Sequence, residues 1–337
     1  MYPTLTPNDT RLSEQWGFGT TASGINVRPA WDTATGTGVV VAVIDTGITS
    51  HPDLNANVLP GYDFISDAAR ARDNNGRDSN AADQGDWRTA NQCGTGVAAA
   101  NSSWHGTHVA GTIAAVTNNS TGVAGTAFNA RIVPIRALGL CGGSSSDIAD
   151  AIVWASGGTV SGVPANANPA EVINMSLGGN GTCSNTYQNA INGAVSRGTT
   201  VVVAAGNSNA NVANFTPASC ANVISVASIT SAGARSSFSN FGTTIDISGP
   251  GSAILSTLNS GTTTPGSASY ASYNGTSMAA PHVAGVVALV QSAASRPLTP
   301  AAVETLLKNT ARPLPGACSG GCGAGIVNAA GAVSQTP

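Results

Sequence analysis

The sequence predicts an α/β protein, a three-layer sandwich with a mostly parallel central sheet and helices on both faces. Two observations carry that expectation. Short β-branched runs alternate with longer alanine-rich stretches of helical period, and no linker-like segment or internal repeat divides the 337 residues. Strands are expected at Val39 to Ile44, Arg131 to Ile135, Val172 to Met175, Thr200 to Ala204 and Val223 to Ala227. Helices are expected at His105 to Val116, Ser146 to Ala155, Thr186 to Arg197 and Ser277 to Ala294, each opening near a Ser, Thr or Gly. The chain, 1–337, reads as one domain with a core of about 15–331.

Three segments interrupt the alternation. Residues 66–104 form a long polar insertion holding Asp67, Asp73, Asp78, Asp83, Asp86 and Cys93. A structureless loop of that length is uncommon inside a compact domain, so something should tie it down. Residues 205–222 are rich in Asn, Ser and Ala, and the tail from Pro313 is glycine-rich.

Composition narrows the function. Only 9% of residues are charged, against roughly 25% in an average soluble protein, so the surface should be polar but nearly uncharged. A hydrophobic share of 42% excludes a disordered chain. With a net charge of -3 there is no electrostatic reason to expect nucleic acid or an anionic membrane as partner. No apolar run approaches the roughly 20 residues that a membrane span needs. The six cysteines form no C-x-x-C pair, and the four histidines are not spaced to complete a zinc site with them. Three disulfides in an oxidising compartment are therefore expected. The opening Met1-Tyr2-Pro3-Thr4-Leu5-Thr6-Pro7 has neither a basic nor an apolar segment, so the expectation is a mature form without an export signal.

Four short segments carry chemistry. In Val41-Ala42-Val43-Ile44-Asp45-Thr46-Gly47 a carboxylate directly follows a buried strand, where open α/β sheets place their sites. In Trp104-His105-Gly106-Thr107-His108 an imidazole stands at the first turn of a helix; His108 reads as structural, since no third metal ligand follows at a usual spacing. In Asn274-Gly275-Thr276-Ser277-Met278-Ala279-Ala280-Pro281-His282 a serine opens a long helix whose N-terminus favours negative charge. In Val203-Ala204-Ala205-Gly206-Asn207 an amide side chain ends a strand. Taken singly, these are a turn aspartate, a packed histidine, an N-cap serine and a turn asparagine.

Taken together, the segments resemble the subtilase family of serine peptidases, from about Gln15-Trp16-Gly17 to Asn328-Ala329-Ala330. The order acid, histidine, serine matches that family, as do Asp45-Thr46-Gly47, His105-Gly106-Thr107-His108 and Gly275-Thr276-Ser277-Met278-Ala279. The α/β-hydrolase esterases are excluded, because they carry serine in G-x-S-x-G and in the order Ser, acid, His. A catalytically silent relative acting as a binding module would need a lost triad or oxyanion residue, and none is lost.

The resemblance implies a secreted, extracellular serine endopeptidase with Asp45, His105 and Ser277 as triad, Asn207 as oxyanion donor and Thr276 as a helper. Its substrates would be proteins and peptides bound as an added strand beside Asn174-Met175-Ser176-Leu177-Gly178-Gly179 and Leu140-Cys141-Gly142-Gly143-Ser144. The side-chain slot before the cut would lie between Ser176, Leu177 and Gly178 on one side and Ala204, Ala205 and Gly206 on the other. No fixed charge lies in those walls, so an apolar or aromatic residue is expected there. The family further implies a monomer, an amino-terminal propeptide that assists folding and leaves, and calcium. Calcium would be held by Asp9, Asp53 and the loop with Thr117, Asn119, Thr121 and Val123, a loop one residue longer than the common subtilisin version. A second calcium site is expected at Asp73, Asn75 and Asp78, where oxygen ligands alternate around a glycine. The disulfides that go with this fold would be Cys93–Cys141, Cys183–Cys220 and Cys318–Cys322.

Overall fold

The computed structural model describes residues 5–337; the first four residues of the stretch read for an export signal lie outside them. The strands are β1 (Val40–Asp45), β2 (Tyr62–Asp63), β3 (Arg131–Arg136), β4 (Val172–Met175), β5 (Gly179–Asn180), β6 (Thr200–Ala204), β7 (Phe215–Thr216), β8 (Ile224–Ile229), β9 (Ile247–Pro250), β10 (Ile254–Asn259) and β11 (Ala268–Tyr273). The α-helices are α1 (Arg28–Trp31), α2 (Ala68–Ala71), α3 (His105–Ala114), α4 (Ser145–Ala155), α5 (Asn185–Ser196), α6 (Thr276–Ala293), α7 (Pro300–Thr310) and α8 (Ala329–Ser334).

Seven strands make one parallel sheet in the order β2-β3-β1-β4-β6-β8-β9. Strand β1 lies between β3 and β4, so the chain leaves it in one direction and returns on its other side. The crevice at the carboxyl ends of strands beside such a reversal is where open sheets bind ligands. Asp45 is the last residue of β1.

The β-branched runs alternate between two cores, as a period of two requires. Val41 and Val43 of β1, Val172 of β4 and Val202 of β6 face a core built with α3, α6, α7 and α8. Their neighbours Ala42, Ile44, Ile173, Val201 and Val203 face the opposite core, against α4 and α5. Helix α6 is buried without a break from Met278 to Val290 and packs on β4, β6, β8 and β9. Its serine is therefore fixed by the core rather than by a surface loop.

The five expected strands and four expected helices form with their ends shifted by at most two residues. The sequence reading missed β2, β9 and the antiparallel pair β10–β11, and also helices α7 and α8. The insertion 66–104 is tied down in three ways. Cys93 is bonded to Cys141 with Cα atoms 5.4 Å apart, Arg77 pairs with Asp147 of α4 at 2.8 Å, and Ser102 N donates to Thr262 O at 2.8 Å. Cys183–Cys220 and Cys318–Cys322 are the other two disulfides, the pairs that the resemblance implied.

Candidate active site

Asp45 is fully buried, and its Oδ1 accepts from Thr46 N at 2.7 Å. The same carboxylate meets His105 Nδ1 at 2.8 Å (Oδ1) and 3.0 Å (Oδ2). That pairing leaves Nε2 as the free nitrogen of a ring whose side chain is 22% exposed, so it can reach a bound molecule. The first turn of α3 comes close enough to β1 because residue 106 is glycine; a Cβ there would collide with the Gly47 carbonyl. Gly106 N donates to Thr46 Oγ1 (2.9 Å), and Thr46 Oγ1 donates to the buried Asp83 (2.7 Å).

Burial pulls the His105 pKa down, but the charge and hydrogen bond of Asp45 and the charges of Asp86 and Asp83 together outweigh it, so it is raised. The other three histidines go the opposite way. Burial lowers His51, and it lowers His108 to about 3 and His282 to about 4. Burial also pushes the Asp83 carboxyl up to about 7. A base must be neutral, so activity that depends on His105 should appear as pH rises through a value above the ordinary 6.5. Asp86→Asn removes a charge that favours the imidazolium, so the midpoint of a kcat/KM against pH profile should move to lower pH. A midpoint that does not move would remove Asp86 from this account.

Ser277 is the second residue of α6 and is half-buried. Its Oγ donates to Ser176 O at 3.1 Å, and Ser176 Oγ returns a bond to Ser277 O at 2.7 Å. Pro281 explains the second bond. It stands four residues after Ser277 inside the helix and has no N–H, so the Ser277 carbonyl lacks its helical partner. The Ser176 hydroxyl satisfies that carbonyl and itself accepts from Asn174 Nδ2 at 3.0 Å.

Asn207 Oδ1 accepts from both Thr276 N (2.8 Å) and Thr276 Oγ1 (2.9 Å), which leaves its Nδ2 turned outward. A Cβ built on Gly275 would stand 3.5 Å from Ser277 N and 3.6 Å from Asn207 Nδ2, so both nitrogens border one small volume. Thr276 anchors the amide and also accepts from Gly206 N at 3.0 Å.

Asp45 and His105 are thus in contact, and Ser277 N and Asn207 are beside each other. Ser277 Oγ itself rests on Ser176 O. Ser176, Leu177 and Gly178 follow β4, and Ala205 and Gly206 follow β6, its neighbour in the sheet. Gly142 and Gly143 lie exposed in the turn before α4, beside Cys141. Sequence reasoning made Ser176 a wall only and missed its hydroxyl, although a proline four residues after the serine was a readable signal. It also gave Asp83 and Asp86 no role, since nothing in a polar loop says which carboxylate folds back toward a strand end.

Asp9 and Asp53 are both buried and converge with the loop 117–123. Asp53 accepts from Asn119 Nδ2 (2.8 Å), Val123 N (2.9 Å) and the Tyr270 hydroxyl (3.2 Å). Asp9 Oδ2 accepts from Asn118 N at 2.9 Å, while its buried Oδ1 has no partner. Burial raises the Asp9 pKa, and the charge of Asp53 adds to the rise. Thr117 turns its hydroxyl to Ala115 O (2.9 Å) and Thr121 its own to Asn119 O (3.3 Å). Among the described residues no three His, Cys, Asp or Glu side chains group around a metal-sized space. At the insertion, Asp73 turns to Arg136 (3.3 Å), Asn75 donates to Asp78 (2.7 Å), and Asp78 also accepts from Asn80 N (2.7 Å).

Comparison with known proteins gives a consistent picture. The subtilase family model matches residues 36–325. An extracellular protease of Xanthomonas campestris pv. campestris is 80% identical over 334 residues, covering 99% of this chain and 58% of that protein. An extracellular basic protease of Dichelobacter nodosus is 49% identical over 342 residues, covering 99% of this chain and 56% of that protein. The chain thus spans a little under three-fifths of these two relatives. A solved structure described as proteases from Pseudoalteromonas arctica superposes with a TM-score of 0.97 at 58% identity, over 99% of this chain and 100% of that one.

Proposed function

The chain belongs to the subtilase family, and from that premise we propose that it is a secreted, extracellular serine endopeptidase acting through Asp45, His105 and Ser277. The observation that carries this reading is the Asp45–His105 contact at the sheet rim, together with Ser277 N and Asn207 Nδ2 bordering one volume. In the proposed reaction Ser277 Oγ leaves Ser176 O by a side-chain rotation and turns to His105 Nε2. The imidazole takes the hydroxyl proton as oxygen attacks the peptide carbonyl, and Asp45 holds Nδ1–H and stabilises the imidazolium. Ser277 N–H and Asn207 Nδ2 meet the oxyanion. His105 then gives its proton to the leaving amine, and water releases the acyl group by the same steps. Casein cleavage that one equivalent of a sulfonyl fluoride abolishes is the expected result; unaffected cleavage would refute the reading.

Protein and peptide substrates are proposed to add as a strand beside Ser176 to Gly179 and Leu140 to Ser144, with an apolar residue in the uncharged slot. A monomer that requires its propeptide only during maturation fits a fold with two complete cores.

Calcium fits at Asp9 and Asp53 because Asp9 Oδ1 is buried without a partner and a second buried carboxylate, Asp53, lies near enough for its charge to act on Asp9. Thr117, Asn119, Thr121 and Val123 would supply further oxygens, the donor type that this cation takes. When bound, the ion would offset the repulsion of the two carboxylates. The residues at 73–78 do not fit as well, since Asp73 is paired with Arg136 and Asn75 with Asp78; the proposal is confined to the first site. Chelation should shorten the half-life at elevated temperature by at least about tenfold, and restored calcium should return it with unchanged turnover. Equal half-lives with and without chelator would contradict the site.

A further inference from the structure

We infer that Phe215 closes the far end of the side-chain slot and so restricts the residue before the cut to short apolar side chains. The inference rests on the proposed peptidase reading and narrows its expectation for that slot.

The two walls meet the same ring. A Cβ placed on Gly178 would strike Phe215 Cε1 and come within 2.9 Å of Cζ. A Cβ placed on Gly206 would stand 2.8 Å from each of the same two atoms. The outer edge of the ring therefore sits between the walls, in contact range of both. Glycine at 178 and 206 makes the space that the ring takes up. Without the ring, two facing glycines would leave a deep slot with room for an aromatic guest.

The ring is also held in place. Its backbone pairs with Asn180 in the short antiparallel ribbon β5–β7, so it is built onto the first wall itself. Cys183–Cys220 closes that ribbon three residues beyond Asn180 and five beyond Phe215. Phe215 also packs against the core shared with α4 and α5, which leaves it half-buried. An aromatic side chain entering the slot would have to displace a core-anchored ring, whereas a methyl or isopropyl group would rest on its edge. Excluding a ring by steric overlap costs more than the loss of a methylene contact, which alone is worth roughly tenfold or more in discrimination.

The test is kcat/KM on p-nitroanilide peptides that differ only in the residue before the cut. The unaltered protein should prefer Ala and Val to Phe and Tyr by at least about tenfold. Phe215→Ala should raise the Phe-to-Ala ratio by at least about tenfold, and Phe215→Leu should give an intermediate ratio. Preference of the unaltered protein for Phe, or a ratio that Phe215→Ala and Phe215→Leu both leave unchanged, would overturn the inference while leaving the peptidase reading intact. If no peptide is cleaved and a sulfonyl fluoride does not react, the peptidase reading falls and takes this inference with it.

Discussion

Ser277→Ala should reduce casein cleavage to background while leaving the fold in place. The hydroxyl is the proposed nucleophile, and alanine removes it alone. The structural cost is small, because Ser277 Oγ donates one bond, to Ser176 O, from a half-buried position. The bond from Ser176 Oγ to Ser277 O involves the backbone and survives the change. A loss on the order of 10⁶-fold in turnover is the magnitude known for subtilisin itself and is not calculated from this site. An unchanged melting temperature with activity lost would assign the effect to chemistry; substantial residual cleavage would give the nucleophile's role to another residue.

At Asn207 the structure separates two functions of one amide. Oδ1 holds Thr276, and Nδ2 faces the proposed oxyanion. Asn207→Asp keeps the acceptor and loses the donor, whereas Asn207→Leu loses both. Both changes should lower kcat by on the order of 10²–10³ with KM changed only a few-fold, a range taken from the corresponding subtilisin donor. If Asn207→Leu is impaired and Asn207→Asp is not, the amide serves to position Thr276 and the oxyanion assignment fails.

The sheet was legible because its central strands are buried on both faces. Val-rich runs such as Thr200 to Ala204 have no other use in a soluble chain, and the helices between them announce themselves by period and cap. Strands β10 and β11 escaped because their residues, Ile254-Leu255-Ser256-Thr257 and Ala268-Ser269-Tyr270-Ala271, mix polar and apolar side chains and depend on pairing with each other and packing on α3. Short β5 and β7 hold too few residues for any pattern.

At the site, the motifs pointed to the acid, the imidazole, the serine and the amide. They could not show that Ser176 takes up the carbonyl that Pro281 leaves free. Nor could they show that Asp83 reaches the site through Thr46, since both links depend on distant segments meeting. Phe215 was invisible for the same reason. A phenylalanine in a polar loop has no period, and only the folded chain brings Gly178 and Gly206 to its edge.

The account stands on Asp45, His105 and Ser277 acting as one unit. Mass-spectrometric mapping of a sulfonyl fluoride adduct, made in parallel on the unaltered protein and on His105→Ala, tests that unit directly. A single adduct on the peptide bearing Ser277, absent from His105→Ala, is the predicted result. An adduct on another residue, or equal labelling of Ser277 without the imidazole, would contradict it.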